Sequence, residues 1–506
     1  MDQPKHPSCD QRENTSSNKT ADVSQGPQSF AVKILENIDT EAARILRPIV
    51  TEAMRRAPSL RIENAPLDDA TNSSIFRAIY RGNVCFVPGA TWRIFDSDHG
   101  LWITDRDKSL IKRLSVGVGL LRRESVNLSE NPKEASKFAI YSLSAYGVKC
   151  TLDLAASEPA LIYERNKFDR DPDSILDASG QHINLRTAET RKATAEDLFT
   201  RSLGASYSPV ETCPRFDSFI LQAMEGDIEA VSFLQRWTGY CLTGKTSEQK
   251  MMINVGLGAN GKGTFSHVIE TIMGDYAQSA DSELFAPTRT RNPEYQLARL
   301  SGVRAVFVRE TKDGAFLDEG IVKSLTGQDT IVARNPYEQQ FQFVPEFKAQ
   351  IETNNAPRVK GRNHAIWRRL IRVPWNHIVS DSEKDPGLGE KLKAESSGIL
   401  RWMIDGAGDW YAEMLGLPQK IATATMMYQE ETDILRDFLD GFLQEPDATA
   451  PSGELFTQYR QWAQASGVKP MSAPRFKEAM IERGYEWRRT NHSKFFKGIC
   501  LVQANI

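Results

Sequence analysis

Apolar positions recur at helical spacing from residue 30 to about residue 56, through Ala31, Ile34, Leu35, Ile38, Ala42, Ile45, Leu46, Ile49, Val50, Ala53 and Met54. A period near 3.6 predicts an amphipathic helical stretch with one face in a core. The pattern then shortens. Val84-Cys85-Phe86-Val87, Trp92-Arg93-Ile94-Phe95 and Leu101-Trp102-Ile103 are aromatic and β-branched runs separated by Gly and Asp, which predicts a small meander. Helical spacing returns over 216–242 and again over 388–411. Between these lie Met251-Met252-Ile253-Asn254-Val255, the run 303–309 and the run 347–353, each read as a strand. Runs flanking Arg334-Asn335-Pro336 predict a hairpin over 329–341, and the C-terminal part reads as two helices followed by strands at 485–489 and 497–502. Residues 1–28 carry Ser, Asn, Gln, Thr and Asp with almost no large apolar side chains, which predicts a disordered tail.

The first candidate for chemistry follows the strand at 251–255. Gly256-Leu257-Gly258-Ala259-Asn260-Gly261-Lys262-Gly263-Thr264 leads into the helical run 265–273. Strand, glycine-rich turn and helix are the context in which backbone N–H groups converge on phosphate oxygens. Gly256, Gly258, Asn260, Gly261, Lys262, Gly263 and Thr264 are therefore expected to bind the nucleotide, with Lys262 on the outer phosphates. The residue after the lysine is Gly263, so the hydroxyl expected on Mg²⁺ is that of Thr264.

Companion residues narrow the class. The strand 303–309 ends at Glu310, a carboxylate placed to polarise an attacking water, while Arg309 stands where many ATPases carry a metal-binding Asp. Thr353-Asn354 ends the next strand, with Asn354 expected near the γ-phosphate, and Arg368-Arg369 form a pair suited to transition-state charge across a subunit boundary. Arg334, Asn335 and Tyr337 on the hairpin, with Lys323 just before it, combine charge with a stacking face, a chemistry suited to sequence-independent binding of single-stranded DNA, the alternative being a solvated surface hairpin. Arg488, Arg489 and Lys494 form a basic C-terminal segment with aromatic neighbours, suited to docking duplex DNA and equally to a solvated hairpin or a subunit contact.

The ordered set Gly256–Thr264, Glu310-Thr311, Leu325-Thr326-Gly327-Gln328-Asp329, Thr353-Asn354 and Trp367-Arg368-Arg369 resembles the superfamily 3 helicases. More narrowly, it resembles the helicase part of satellite-phage and poxvirus primase-helicases. The likeness extends upstream through Cys213-Pro214-Arg215-Phe216 and 235–244, and downstream through Gly398-Ile399-Leu400-Arg401-Trp402 and Met427-Tyr428-Gln429-Glu430. It implies an α/β chain with a P-loop, AAA+-like ATPase core, an α+β accessory domain before it and a winged helix after it. It also implies ATP and Mg²⁺ as cofactors, Glu310 as catalytic acid, Asn354 as sensor and Arg368 or Arg369 as the arginine finger. The implied boundaries are a tail at 1–28, an accessory or collar domain at 29–212, a helical linker at 213–245, the ATPase at 246–380, a helical lid-like segment at 381–430 and the winged helix at 431–506.

The implied function is an ATP-driven helicase of phage, prophage or plasmid replication. It would form a homo-oligomeric ring, a hexamer, on single-stranded and forked DNA and work with a separate primase or polymerase. Two alternatives remain: a bifunctional primase-helicase, and an ATP-dependent initiator or assembly factor without motor activity. Asp96, Asp98, Asp105 and Asp107 raise the primase question, but they alternate with turn residues. A formal net charge of −3 gives no global basic field, so DNA contacts must be local. Six scattered cysteines without a CxxC pair argue against zinc and disulfides and for a reducing compartment. With no membrane-length apolar run and no signal-peptide core, the expected location is the bacterial host cytoplasm and no membrane partner is expected.

Overall fold

The computed structural model describes residues 28–89, 91–287, 294–309, 315–336, 339–359, 364–432, 434–466, 470–490 and 493–501. The tail expected at 1–28 lies outside these residues except for Gln28. The chain divides into two units, one formed by residues up to Phe95 with Ile103–Arg165, the other by Asp96–Trp102 with Asn166 onward. The division falls before the boundary expected at 212, so residues 166–212 belong with the second unit.

In the first unit, α1 (Gln28–Leu35), α2 (Thr40–Arg56) and α3 (Asp69–Tyr80) precede a small sheet of β1 (Val84–Phe86), β2 (Trp92–Asp96) and β3 (Leu101–Thr104). Three more helices follow, α4 (Ser109–Glu124), α5 (Pro132–Leu143) and α6 (Ala145–Ala155). The single helical run expected over 30–56 is two helices. Asn37 takes a left-handed φ of 55°, and the Asp39 carboxylate then accepts the Ala42 N–H at 2.8 Å, capping α2. Buried Arg122 donates to Asn72 Oδ1 at 3.0 Å and to the Ala65 and Pro66 carbonyls, and burial pushes its pKa down to about 10. Asp105 accepts from Ile111 N at 2.8 Å and Asp107 from Ser109 N at 3.0 Å, so these two acids shape the turn into α4.

The second unit begins with an antiparallel sheet of β4 (Ser174–Leu176), β5 (Gln181–Asn184) and β6 (Thr190–Lys192), followed by α7 (Pro214–Ala223) and α8 (Ile228–Leu242). Then come β7 (Met251–Val255), α9 (Lys262–Met273), β8 (Ala277–Ala280), α10 (Glu294–Ala298), β9 (Ala305–Arg309) and α11 (Glu319–Thr326). The expected hairpin is β10 (Ile331–Arg334) with β11 (Gln340–Phe343), and it is followed by β12 (Lys348–Thr353), α12 (His364–Trp367) and β13 (Leu370–Pro374). Five of these strands make one parallel sheet in the order β13-β7-β12-β9-β8.

Both faces of this sheet are covered, which explains the nearly continuous apolar runs. Met251, Ile253 and Val255 join one core with Val306, Val308 and Ile351, while Met252 faces the opposite core with Phe265, Ile269 and Phe307. The chain continues through α13 (Leu388–Ala394), α14 (Ser396–Glu413), α15 (Gln419–Glu431) and α16 (Ile434–Leu439). Helices α8 and α14 meet backbone to backbone: a side chain on Gly239 would run into Ala407 N, and one on Gly406 into Gln235 O. Gln235 Nε2 donates to Trp402 O at 3.0 Å across this crossing, joining residues 167 apart in sequence.

At the C-terminal end, β14 (Thr449–Pro451), α17 (Ser452–Ala465), α18 (Ala473–Ile481), β15 (Glu486–Arg489) and β16 (Lys494–Lys497) form a three-stranded antiparallel sheet with two helices. Tyr459, Phe476 and Phe496 fill its core. The last strand, expected at 497–502, lies at Lys494–Lys497, because Gly498 turns the chain at φ 93° and donates to Ala448 O. The architecture is a mixed α/β fold built on a parallel sheet. No helix among the described residues is long and apolar enough to cross a membrane.

Candidate functional site

The C-terminal edge of the parallel sheet carries the candidate chemistry. Strand β7 runs into the glycine-rich loop, which is held from behind by Trp375: its indole N–H donates to Asn254 Oδ1 at 2.9 Å and its carbonyl accepts from Asn260 Nδ2 at 3.0 Å. Gly256 passes so close to the Asn260 amide and the Trp375 carbonyl that no side chain would fit there. Gly261 sits at φ 83°, directly before the first turn of α9, where a side chain would also strike Phe219. Only glycine serves both positions.

Lys262 opens α9. Its ammonium donates to the Gly256 carbonyl at 2.7 Å and to Asn354 Oδ1 at 3.1 Å, and partial burial lowers its pKa. The loop lysine and the strand-end amide, read as separate signals in the sequence, are thus in direct contact. A cavity of about 840 Å³ opens beside them, lined by Lys262, Gly263, Thr264, Arg309, Glu352 and Asn354 among others. A second cavity of about 780 Å³ shares Gly261 and Thr264 and is walled by Phe219, Gln222, Val379 and Leu388. Among the described residues no three His, Cys, Asp or Glu side chains converge as a metal cage.

Glu310 lies outside the described residues. Its neighbour Arg309, the last residue of β9, is on the cavity rim, ion-paired with Glu270 of α9 and 3.8 Å from Glu352 Oε1. Glu352 is the residue that reading the sequence missed. Positions 348, 350 and 352 of β12 are Lys, Gln and Glu, a period-2 polar stripe within a strand that is buried along its whole length, and Asn354 continues it one residue past the strand end. That stripe was the available signal.

The paired arginines lie elsewhere. They precede β13, whose Leu370 pairs with Met251, so they stand at the N-terminal edge of the sheet, opposite the loop that leaves Val255. Arg369 is buried and committed to Thr326 Oγ1 at 3.1 Å, Ala365 O at 2.6 Å and Gln249 Oε1 at 3.2 Å. Arg368 is exposed and touches the same Gln249 oxygen at 3.1 Å. Neither is placed to serve the loop of its own chain.

On the hairpin, Arg334 ends β10 with its guanidinium 3.5 Å from Glu294 Oε2 and over the Tyr295 ring at 5.4 Å. Asn335 is half-buried beside it, Tyr337 lies outside the described residues, and Lys323 on α11 is 3.5 Å from Glu319 Oε2. At the C-terminal end Arg488, Arg489 and Lys494 are all exposed. Arg488 pairs with Glu486 at 2.8 Å, whereas Arg489 faces Lys494 across the β15–β16 register. Like charges directly opposite each other weaken a hairpin, so this pair costs stability unless an anion lies over it.

Sequence comparison adds relatives to this geometry. Residues 73–225 match the family described as D5 N terminal like, and residues 254–369 match a family of unknown function (DUF5906). A provisionally named helicase of Acanthamoeba polyphaga mimivirus is 26% identical over 274 residues, 50% of this chain and 28% of that protein. A provisionally named helicase of frog virus 3 (isolate Goorha) is 26% identical over 257 residues, 46% of this chain and 26% of that one. A provisionally named primase of African swine fever virus is 22% identical over 311 residues, covering 55% and 32% respectively. The chain therefore aligns with only about a quarter to a third of the length of these relatives. The apo C-terminal region of NrS-1 superposes with a TM-score of 0.47 at 11% identity, covering 82% of this chain and 96% of that one. The fold and the sequence matches define the class: a mixed α/β protein akin to viral helicases and primase-helicases. Within it, the matches point to the D5-like primase-helicases, through the D5 N terminal like model over residues 73–225 and the viral relatives.

Proposed function

We propose that this chain is an ATP-dependent DNA helicase or translocase with a P-loop, AAA+-like core of the superfamily 3 type and a C-terminal winged helix. The observation that carries this reading is the meeting of Lys262 with Asn354 at the C-terminal edge of a parallel sheet ordered β13-β7-β12-β9-β8. A cation on a glycine loop, with a neutral amide from the adjacent strand within 3.1 Å, is suited to grip a terminal phosphate and orient what attacks it. ATP and Mg²⁺ fit these residues: loop N–H groups and Lys262 for the phosphates, the Thr264 hydroxyl for the cation, and the Phe219-lined cavity for the base. When bound, they supply the phosphoryl group to be transferred and neutralise its charge. Glu310, next in sequence after Arg309, is the acid proposed to direct the water.

The position of the arginines supports a ring, with a hexamer as the expected form. Since Arg368 and Arg369 stand at the far edge of the sheet from their own loop, an arginine finger would have to act on a neighbouring copy. Arg368, exposed and held by a single amide oxygen, suits that task better than Arg369, which is tied into the packing. Two individually inactive proteins, Lys262→Ala and Arg368→Ala, should then regain part of the ATPase when mixed, because some interfaces combine an intact loop with an intact arginine. No recovery over a series of mixing ratios would count against action in trans.

Arg334 and the exposed C-terminal arginines supply local positive charge for single-stranded and forked DNA. Arg334→Ala is expected to weaken single-strand binding for all sequences alike and to lower the salt slope by about 0.7 per lost phosphate contact. Anisotropy titrations over a salt series measure this, and an unchanged slope would remove Arg334 from the DNA path. The overall test is ATP hydrolysis with and without single-stranded DNA, together with particle mass in ATP. DNA-independent turnover by a monomer would instead favour an assembly factor. Because one relative is named a primase, primer synthesis on a single-stranded template tests the bifunctional reading, in which a separate primase is unnecessary.

A further inference from the structure

Glu352 has no task in the hydrolysis as described so far. Its side chain is almost wholly enclosed, with 6% of the residue exposed, yet it lines the cavity shared with Lys262 and Thr264. Its Oε1 is buried and accepts no hydrogen bond from the described residues. The Arg309 guanidinium is 3.8 Å from that oxygen, but its close ion pair is with Glu270. The other oxygen lies under the first turn of α9, where a Cβ on Gly263 would sit 3.7 Å from Oε2. Even a Cβ after the lysine would thus only touch this carboxylate at ordinary contact distance.

The stripe on β12 is fixed from below. Gln350 donates to Ser266 Oγ at 3.0 Å and accepts from Trp237 Nε1 at 3.2 Å, so the next polar position, Glu352, is aimed at the start of α9. Burial raises the Glu352 pKa, while Ser266, Arg309 and Lys262 pull it down. An enclosed carboxylate with an unsatisfied oxygen is unfavourable unless a cation comes to it. The parallel register puts Arg309 directly opposite Glu352, so where β9 offers a base at this level, β12 offers an acid.

We propose that Glu352 is the protein carboxylate which, with the Thr264 hydroxyl, holds the divalent cation of the nucleotide site. The proposal rests on the ATP reading above. It agrees with the lack of a three-residue metal cage among the described residues, since Mg²⁺ commonly takes one or two protein carboxylates and completes its shell with phosphate and water. Glu352 thus takes the place that Arg309 denies to the neighbouring strand.

The test uses the full chain, ADP and Mn²⁺ followed by electron paramagnetic resonance, with nucleotide binding measured separately in EDTA. Glu352→Gln is expected to raise the Mn²⁺ concentration for half-occupancy at least about tenfold, with metal-free ADP binding unchanged. Glu352→Asp should fall between the two. Arg309→Gln, which removes the competing cation, should lower the half-occupancy concentration. Equal Mn²⁺ titrations for wild type and Glu352→Gln overturn the proposal. So does an Arg309→Gln variant as weak as Glu352→Gln, which would make Glu352 a support for the arginine. A wild-type chain that binds no adenine nucleotide in either measurement overturns the ATP reading itself, and the cation site with it.

Discussion

Replacing Lys262 with alanine is expected to abolish ATP hydrolysis, with kcat/KM falling at least about a hundredfold, as when one preorganised charge contact to a developing anion is removed. In this structure the ammonium rests between the Gly256 carbonyl and the Asn354 amide oxygen. Both partners lie within reach of a phosphate placed over the loop, so the lysine needs only to exchange neutral acceptors for charged ones. Lowering of its pKa by burial means that water compensates its charge poorly, which strengthens its attraction to an anion. Asn354 is exposed, so losing the lysine leaves it solvated and the fold largely unaffected. The variant should retain the wild-type melting temperature to within a few degrees. Lys262→Arg should not restore activity, because a planar fork does not replace a compact ammonium in this space. Full turnover by Lys262→Ala would end the phosphate-loop assignment.

The second large effect is on stability. Gly406→Val should destabilise the second unit by about 3 kcal/mol or more, since the new side chain has no room and α8 and α14 must separate. The clash is with the backbone of Gln235, so a rotamer change cannot relieve it. Separation also breaks the Gln235–Trp402 hydrogen bond and uncovers Trp237, which lies in the core behind the sheet. Gly408, two residues further along the same helix, has open space around its Cα, and Gly408→Ala should change stability by less than about 1 kcal/mol, in the stabilising direction. Denaturant midpoints of the two variants provide the comparison. Equal midpoints would mean that the crossing contributes nothing.

The pattern of residues made some of this legible in advance and hid the rest. The loop reads well because Gly, Lys and Thr stand at fixed spacing between a buried strand and a helix, and each residue type has one physical purpose there. The strands β7, β9 and β12 read well because a sheet covered on both faces demands unbroken apolar runs. Glu352 was hidden because one carboxylate in such a run looks like a strand tip until the register shows what stands opposite. Arg368 and Arg369 look equivalent in sequence, and only their burial separates them. The division near residue 165 was invisible because β4 is only three residues long and β5 and β6 are short and polar, too little to declare which core they join. Lys348 is a further case: three backbone carbonyls, from Thr243, Lys245 and Glu346, surround its ammonium deep in the second unit, and burial pushes its pKa down to about 7. Nothing local to Lys348 in the sequence announces those acceptors.

The crossing of α8 and α14 also sets a timetable for synthesis. Helix α8 leaves the ribosome long before its partner, because Gln235 and Trp402 are 167 residues apart. At about 5–20 residues per second the wait is roughly 8–30 s. Until then the face of α8 around Gly239 lacks the helix that packs on it. A nascent chain stopped short of Glu413 therefore carries the complete glycine-rich loop on a sheet that still lacks its outer support, and the ability to bind nucleotide should arise late, after α14 has emerged.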